Sequence, residues 1–500
     1  MNYQNRHYHK VARAIPTRTS IEEFDFKQLL TLVNDCLQIH EVCRSSRYTY
    51  PSLPTRIIDV GDEVDSLPYL LSPENESGRY AALTHCWGGP ISCTTTVGTL
   101  QQRQKGIPLG DMPKTFREAV IMTRRLGIRY LWIDALCIIQ DSADDWTREA
   151  RQMAAIYAGS AITISPLNSN SSAAGIFNFQ PTPEIQLDNL ESPLNSRAWC
   201  LQERLFATAM LHVGREQMFF ECLHYNVGED GSRSHWATQL PADRYGPPSL
   251  IAHWYGLVYE FQRRNITMGS DKLPAISALA ARFQERSGFH YVAGLFEEQI
   301  LQGLCWGPYH PRLVNYTTEN PYRSDSKPAI LTRPTDRRIP SWSWASVNGT
   351  VLFKCVSNPD LTLVEFEPID RKCVNDFVEP NPDVAITLTA KTARMYYRLP
   401  KGREHVGVLS HGREDTAPIV FDGCVLDVNR QTSCACTVVL MGYPQSQSNY
   451  WKSIPLTLMI LEEEAQAPMF SRVGLCTPEI EKESLDEVLS AFERRTITLI

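Results

Sequence analysis

No apolar run in this chain approaches the roughly 18 residues that cross a bilayer as a helix. The first twenty residues, MNYQNRHYHKVARAIPTRTS, carry basic side chains without the apolar stretch of a secretory signal. A membrane partner is therefore not expected, and the expected location is the cytoplasm. Charge of one sign is also lacking: 49 Lys and Arg stand against 56 Asp and Glu, a formal charge of -7 without a long run of either sign. That balance argues against nucleic acid or an anionic surface as a partner. The 14 cysteines are scattered rather than set at regular spacings in a short chain, so reduced thiols, many of them small core side chains, are expected instead of a disulfide framework. Internal repeats and long low-complexity tracts are absent too. What remains is 43% apolar content in 500 residues, enough to bury a large core shared by a few globular units at roughly 100–200 residues each.

Residues 21–43 place Phe26, Leu29, Leu30, Val33, Leu37 and His40 at helical spacing, which predicts one amphipathic helix ahead of a polar linker. TRIIDVG at 55–61 predicts a short strand, and SPENESG at 72–78 a turn. An alternation follows. RYAALTHCW (79–87) is strand-like and stops at Gly88, Gly89 and Pro90; PKTFREAVIMTRRLG (113–127) is a helix with Pro in its first turn and Gly127 as its stop. RYLWID (129–134) is a buried strand, SADDWTREARQMAAIYAG (142–159) a helix with acids in its first turn, and AITIS (161–165) a third strand. Strand, helix, strand, helix, strand implies parallel βαβ units. SRAWCLQERLFATAMLHVGREQMFFEC (196–222) reads as a helix and two short strands, and 249–306 as helical. From about 338 short strand candidates separated by turns take over, from SWSWASV to the terminal RRTITLI.

In that order YAALTHCWGG, MPKTFREAVIMTRRLGIRYLWIDALCIIQDSADDWTREARQMAAIYAGSAITIS and SRAWCLQERLF closely resemble the three blocks of the fungal heterokaryon-incompatibility (HET) domain. DKLPAISALA, YVAGLF, PSWSWASVNG, FSRVGL and TITLI resemble the downstream part common in stand-alone members, so the likeness runs from about residue 30 over most of the chain. The resemblance implies a fungal protein of the self/non-self recognition and cell-death class. It also implies a domain similar to the Toll/interleukin-1 receptor (TIR) fold, whose flavodoxin-like members include enzymes that cleave NAD. No P-loop and no WD-type repeat array accompanies it, so the switch and sensor of larger fungal receptors are missing. The expected fold class is α/β, a TIR/flavodoxin-like mostly parallel sheet with helical additions and a C-terminal antiparallel β unit. The expected divisions are a helical lead-in at 1–75, the HET domain at 76–230, a helical region at 231–337 and a β-rich region at 338–500.

Ligands of open parallel sheets sit outside the carboxyl ends of the strands, which directs attention to two strand ends. His85 follows the first, with Trp87 and Gly88 after it; Asp134 closes the second, with Cys137 and Gln140 following. His85 fits a proton shuttle or a hydrogen-bonded core residue, and Cys137 a nucleophile with a lowered pKa or a small packed side chain. Trp87 and Trp146 fit either core aromatics or the walls of a flat-ligand pocket, and Gly88 and Gly89 a turn more economically than a phosphate cradle. Arg197, Trp199, Gln202 and Glu203 combine a cation, an aromatic and a carboxylate within two helical turns, suiting a charged ligand or an Arg–Glu clamp. Cys36, His40 and Cys43 stand at C-x3-H-x2-C, part of a zinc pattern, but no fourth ligand is evident, so no metal is expected and helix packing accounts for the three.

Trp146-x-x-Glu149 resembles the aromatic-x-x-Glu of NAD-cleaving TIR domains, where the Glu is the catalytic carboxylate. Helical spacing sets Glu149 at the border of the buried face, and the competing role is a salt bridge to Arg148, Arg151 or Arg197. Three functions follow from these readings: a TIR-like effector that hydrolyses NAD at the glycosidic bond, a biosynthetic enzyme of secondary metabolism using acid/base groups at the same place, and a non-enzymatic assembly module. The expected partners are a small-molecule substrate and, for an assembly role, a protein partner or further copies of the chain. No bound cofactor is expected, NAD entering as substrate.

Overall fold

The helix-and-strand alternation of residues 79–165 becomes the middle of a mixed sheet in the computed structural model. The structure describes residues 26–41, 43, 51–63, 66–177, 192–214, 217–231, 233–234, 247–308, 331–334, 338–353, 363–369, 384–398, 407–411, 419–426, 434–443, 453–464, 469–476 and 478–500. The chain divides into two compact units, Met1–Arg244 with Arg264–Ile266, and Tyr245–Arg263 with Thr267–Ile500. Residues of the expected lead-in and HET regions share the first unit. No helix among the described residues is long and apolar enough to cross a membrane.

The first unit contains α1 (Phe26–Gln38), β1 (Ile57–Asp59), β2 (Tyr69–Leu71), β3 (Tyr80–Leu83), α2 (Leu100–Lys105), α3 (Lys114–Arg125), β4 (Tyr130–Ile133) and the one-turn helix α4 (Asp134–Cys137). It continues with α5 (Ala143–Gly159), β5 (Ile162–Pro166), α6 (Trp199–Phe206), β6 (Ala209–Val213), β7 (Met218–Cys222), β8 (Asn226–Gly228) and β9 (Arg233–Ser234). The sheet order is β2-β1-β4-β3-β5-β6-β7-β8-β9. Its centre, β4-β3-β5-β6, is parallel, and antiparallel pairs flank it on both sides. Strands covered on both faces read as unbroken apolar runs. Accordingly Ala81, Ala82, Leu83, Leu131, Trp132, Ile133, Ile162 and Ile164 are all fully buried. RYLWID thus supplies an interior strand, not a solvent-facing edge.

Local chemistry sets the helix limits. Pro113 precedes α3, which buries Phe116, Ala119, Val120 and Thr123, and Gly127 at φ +66° ends the segment where an L side chain is disfavoured. Ser142 caps α5, its hydroxyl accepting from Asp145 N, with Asp144 and Asp145 in the first turn favouring the positive helix end. α1 buries Leu29, Val33 and Cys36 in the same core as the sheet. Leu37 was expected on that face; nothing is described of its side chain, and residues 21–25 lie outside the described ones.

In the second unit the expected helical region contains α7 (Pro247–Gln262) and α8 (Pro274–Ser287). The expectation that helix continues to residue 306 is wrong. Tyr291–Val292 and Leu295–Phe296 form a minimal hairpin, β10 and β11, with Ala293 and Gly294 both at positive φ in its turn, the two-residue geometry that suits strand twist. SWSWASV is not a strand either. It is a turn and a short 3-10 segment at Trp344–Ser346. It is anchored at two points: Trp344 Nε1 donates to Gly294 O (2.9 Å), and the backbone carbonyl of the buried Trp342 accepts from Trp306 Nε1 (2.8 Å). The C-terminal strands, opened by Glu365–Phe366 and closed by Glu493–Leu499, form an eight-stranded antiparallel sheet apart from one parallel pairing of Met469–Cys476 with the terminal strand. Cys476 is disulfide-bonded, an exception to the expected thiols; among the described residues nine other cysteines are buried thiols.

Candidate functional site

Because β3 and β4 are parallel neighbours with Leu83 opposite Ile133, the residues that follow them emerge at the same end of the sheet. There His85, Trp87 and Asp134 meet. Asp134 Oδ2 accepts from Trp87 Nε1 (2.9 Å), Asp134 Oδ1 accepts from its neighbour Ala135 N (2.7 Å), and His85 Nδ1 lies 3.5 Å from the same Oδ1. The carboxylate side chain is 22% exposed and the histidine 1%. Neither buried ring nitrogen of His85 makes a hydrogen bond to a described residue, although the ring packs edge-on against Phe116 at 5.0 Å. Asn168, just beyond the carboxyl end of β5 on the other side of β3, likewise has its buried side-chain amide nitrogen and oxygen unbonded among the described residues.

The backbone around this trio is braced. Arg197 donates to the His85 carbonyl, Gln140 Nε2 to the carbonyls of Asp134 and Ile138 (both 3.0 Å), and Ser172 N to that of Trp87 (3.2 Å). Gly88 turns at φ +72°, and a Cβ there would lie 2.1 Å from Ser171 Cβ, so its glycine serves a turn in close contact with the 170–171 backbone. Trp146 of α5 and Trp199 of α6 pack edge to face at 6.1 Å and 89°, the attractive geometry for two indoles. Glu203 is buried and accepts from the Thr84 hydroxyl. Burial pushes its pKa up against the pull of the Arg197 guanidinium.

Burial takes the His85 pKa down from 6.5 to about 4, with the Asp134 charge opposing and the Arg197 charge adding to the fall. The ring is therefore neutral at physiological pH. Between those two values the unfolded chain holds a proton that the folded chain refuses, so stability decreases as pH falls through this window and is indifferent to this group above it. At 1.36 kcal/mol per unit the contribution is about 3 kcal/mol. His85→Asn is expected to flatten the loss of the urea midpoint between about pH 6.5 and 4; equal slopes in the two proteins would show that the ring titrates normally.

Cys137 is fully buried, and burial first of all pushes its thiol up to about 12, so the expected nucleophile is a neutral packed side chain at physiological pH. Glu149 has no exposed side-chain surface and lies 3.5 Å from both Arg56 Nη2 and Arg148 Nε. Of the ion-pair partners expected for it, Arg148 is present, while Arg56 was not foreseen. Burial raises the Glu149 pKa, and Arg56 opposes the rise. Arg56 also binds Asp145 Oδ2 (2.5 Å) and donates to the Cys137 carbonyl (2.6 Å), and Asp145 accepts from Ile139 N (2.8 Å). This cluster fixes the loop between α4 and α5. The single basic residue of TRIIDVG, directly before β1, was its only sequence signal.

The absence of a fourth ligand type beside Cys36, His40 and Cys43 is corrected by the fold. Cys222, the last residue of β7, brings its Sγ to 3.6 Å from His40 Nδ1, and the four ligand atoms all lie within 4.8 Å of one another. Hydrogen bonds from Cys36 and then Cys43 hold the Cys222 thiol well below the ordinary thiol range.

Neither a curated protein nor a solved structure matches this chain. Residues 80–189, which open on β3 and include β4, α5, β5, His85, Asp134 and Glu149 but not Arg197 or Glu203, match the family model described as heterokaryon incompatibility protein (HET), and over that span the chain carries a HET domain.

Proposed function

We propose that this HET domain is a cytoplasmic effector that hydrolyses NAD at the nicotinamide–ribose bond, with its substrate seated at the carboxyl ends of β3, β4 and β5. The observation that carries the reading is the pair of unbonded buried polar side chains, His85 and Asn168, on either side of the β3/β5 boundary. Buried polar groups without partners are costly and call for an explanation such as an unplaced ligand. The place also suits one. The parallel strands, numbered by appearance, run 2-1-3-4, and in open sheets ligands sit at the point where the order reverses, here between the first and third strands.

In this reading Asp134 meets the substrate. Its partly exposed carboxylate faces the ribose as the C1′–N bond breaks and the electron pair leaves with neutral nicotinamide; such a charge stabilises an oxocarbenium-like transition state. Water adds its oxygen to C1′, and its proton passes to the carboxylate and on to solvent, leaving ADP-ribose. Trp87 holds the carboxylate in place, and neutral His85 and Asn168 donate to or accept from the polar edges of the substrate. Glu149, paired with the guanidinium groups of Arg56 and Arg148, orders the first turns of α5 instead of touching NAD.

The purified full chain is expected to convert NAD into equimolar nicotinamide and ADP-ribose, followed by chromatography. A folded chain that leaves NAD intact at high protein concentration would overturn the proposal and return the site to a biosynthetic or assembly role.

A further inference from the structure

The cluster Cys36, His40, Cys43 and Cys222 lies within the first unit but shares no residue with the HET chemistry above. Three of its members are fixed by α1 and the segment after it: Cys36 faces the core two residues before the end of the helix, His40 follows four residues later, and Cys43 closes the segment. The fourth arrives from the end of β7, 182 positions from His40. All three cysteines are buried, at 0%, 0% and 3% exposure for Cys36, Cys43 and Cys222.

We infer that these four side chains form a structural zinc site of the Cys3His type, in which the metal ties α1 to the end of β7. A tetrahedral zinc, with Zn–S about 2.3 Å and Zn–N about 2.0 Å, separates its ligand atoms by roughly 3.6–3.8 Å. His40 Nδ1 is 3.6 Å from Cys222 Sγ and 4.0 Å from Cys43 Sγ, and the whole set fits within 4.8 Å. A histidine nitrogen turned onto two sulfurs is poor hydrogen bonding, since thiols are weak donors and acceptors, but it is ordinary zinc geometry. The surroundings have the features that support such ligands. His224 N donates to Cys222 Sγ (3.4 Å), as suits a metal-bound thiolate, and the turn is closed by Cys222 N to Tyr225 O (2.9 Å). The His40 ring is held between His224 at 4.6 Å and Tyr225, edge-on, at 4.7 Å. Outer partners of this kind orient ligands and tune the metal. With four protein ligands no coordination position stays open for substrate, so the role is structural rather than catalytic.

The test uses the full chain, produced with zinc and purified without chelator. Elemental analysis is expected to give one zinc per chain, released when a mercurial titrates the thiols. Protein grown with cobalt in place of zinc is expected to show sulfur-to-cobalt charge-transfer absorption and the intense visible bands of a tetrahedral site. Cys222→Ser is expected to abolish stoichiometric metal. His40→Cys supplies a fourth sulfur, so it should keep the metal and shift the cobalt bands to longer wavelength, a result independent of whether the serine variant folds. A wild-type chain without zinc or tetrahedral cobalt, a disulfide among the three cysteines by intact mass, or a cobalt spectrum unmoved by His40→Cys would overturn the site.

Discussion

An Arg56→Ala chain is expected to lose roughly 3–5 kcal/mol of stability, the penalty for removing one partner from a buried ion pair and leaving the other charge uncompensated. Arg56 is 6% exposed, and two acids depend on it: Asp145 at 2.5 Å and Glu149 at 3.5 Å, exposed by 4% and 0%. Arg148 also reaches both carboxylates, but its side chain is 52% exposed, so solvent weakens its contribution. The same substitution deletes the hydrogen bond to the Cys137 carbonyl. Because the damage comes from unpaired charge, Arg56→Met combined with Glu149→Gln should recover part of the loss, and Arg56→Lys should fall between, lacking the planar fork that reaches a carbonyl and a carboxylate at once. Urea unfolding of the four proteins checks the series. A loss below about 1 kcal/mol in Arg56→Ala would place it with ordinary surface ion pairs.

Asp134→Asn is expected to lower NAD turnover by about two to four orders of magnitude, the range for removing a group that acts on the reacting atoms. The exchange is nearly isosteric. One amide oxygen can still accept from Ala135 N or from Trp87 Nε1, but not from both as the two carboxylate oxygens do, so the fold should survive with about 1–3 kcal/mol lost for the donor left unsatisfied. Circular dichroism and the unfolding midpoint separate that cost from the catalytic one. Of Asp134, Glu203 and Glu149, water reaches the first, while the other two are buried.

Much of this arrangement was written into short-range patterns. The apolar runs at 80–83, 130–133 and 162–166, punctuated by Pro113, Gly127 and the Ser142 cap, identify the parallel strands and helices, and the strand-end rule then brings His85, Trp87 and Asp134 to one place. What sequence could not supply depends on pairing between distant segments. Cys222 becomes a neighbour of Cys36, His40 and Cys43 only once α1 meets β7. Arg56 reaches Asp145 across 89 positions, and the burial of Glu149 and Cys137 follows from that closure and not from helical spacing, which left Glu149 at a border. Asn168 sat in a polar stretch that reads as loop. Two local errors have local causes. The Ala293-Gly294 turn interrupts a helical pattern, and the serine–tryptophan alternation of 341–344 imitates a strand while the Trp344 indole bonds the Gly294 carbonyl.

The most direct measurement compares nicotinamide release from NAD by the wild-type chain, Asp134→Asn and Glu149→Gln, each at equal folded concentration. A site at the carboxyl ends of β3 and β4 predicts that Asp134→Asn falls at least about a hundredfold while Glu149→Gln stays within a few-fold of wild type. Loss of activity in Glu149→Gln with Asp134→Asn unimpaired would contradict the account and assign the chemistry to the carboxylate beneath Arg56.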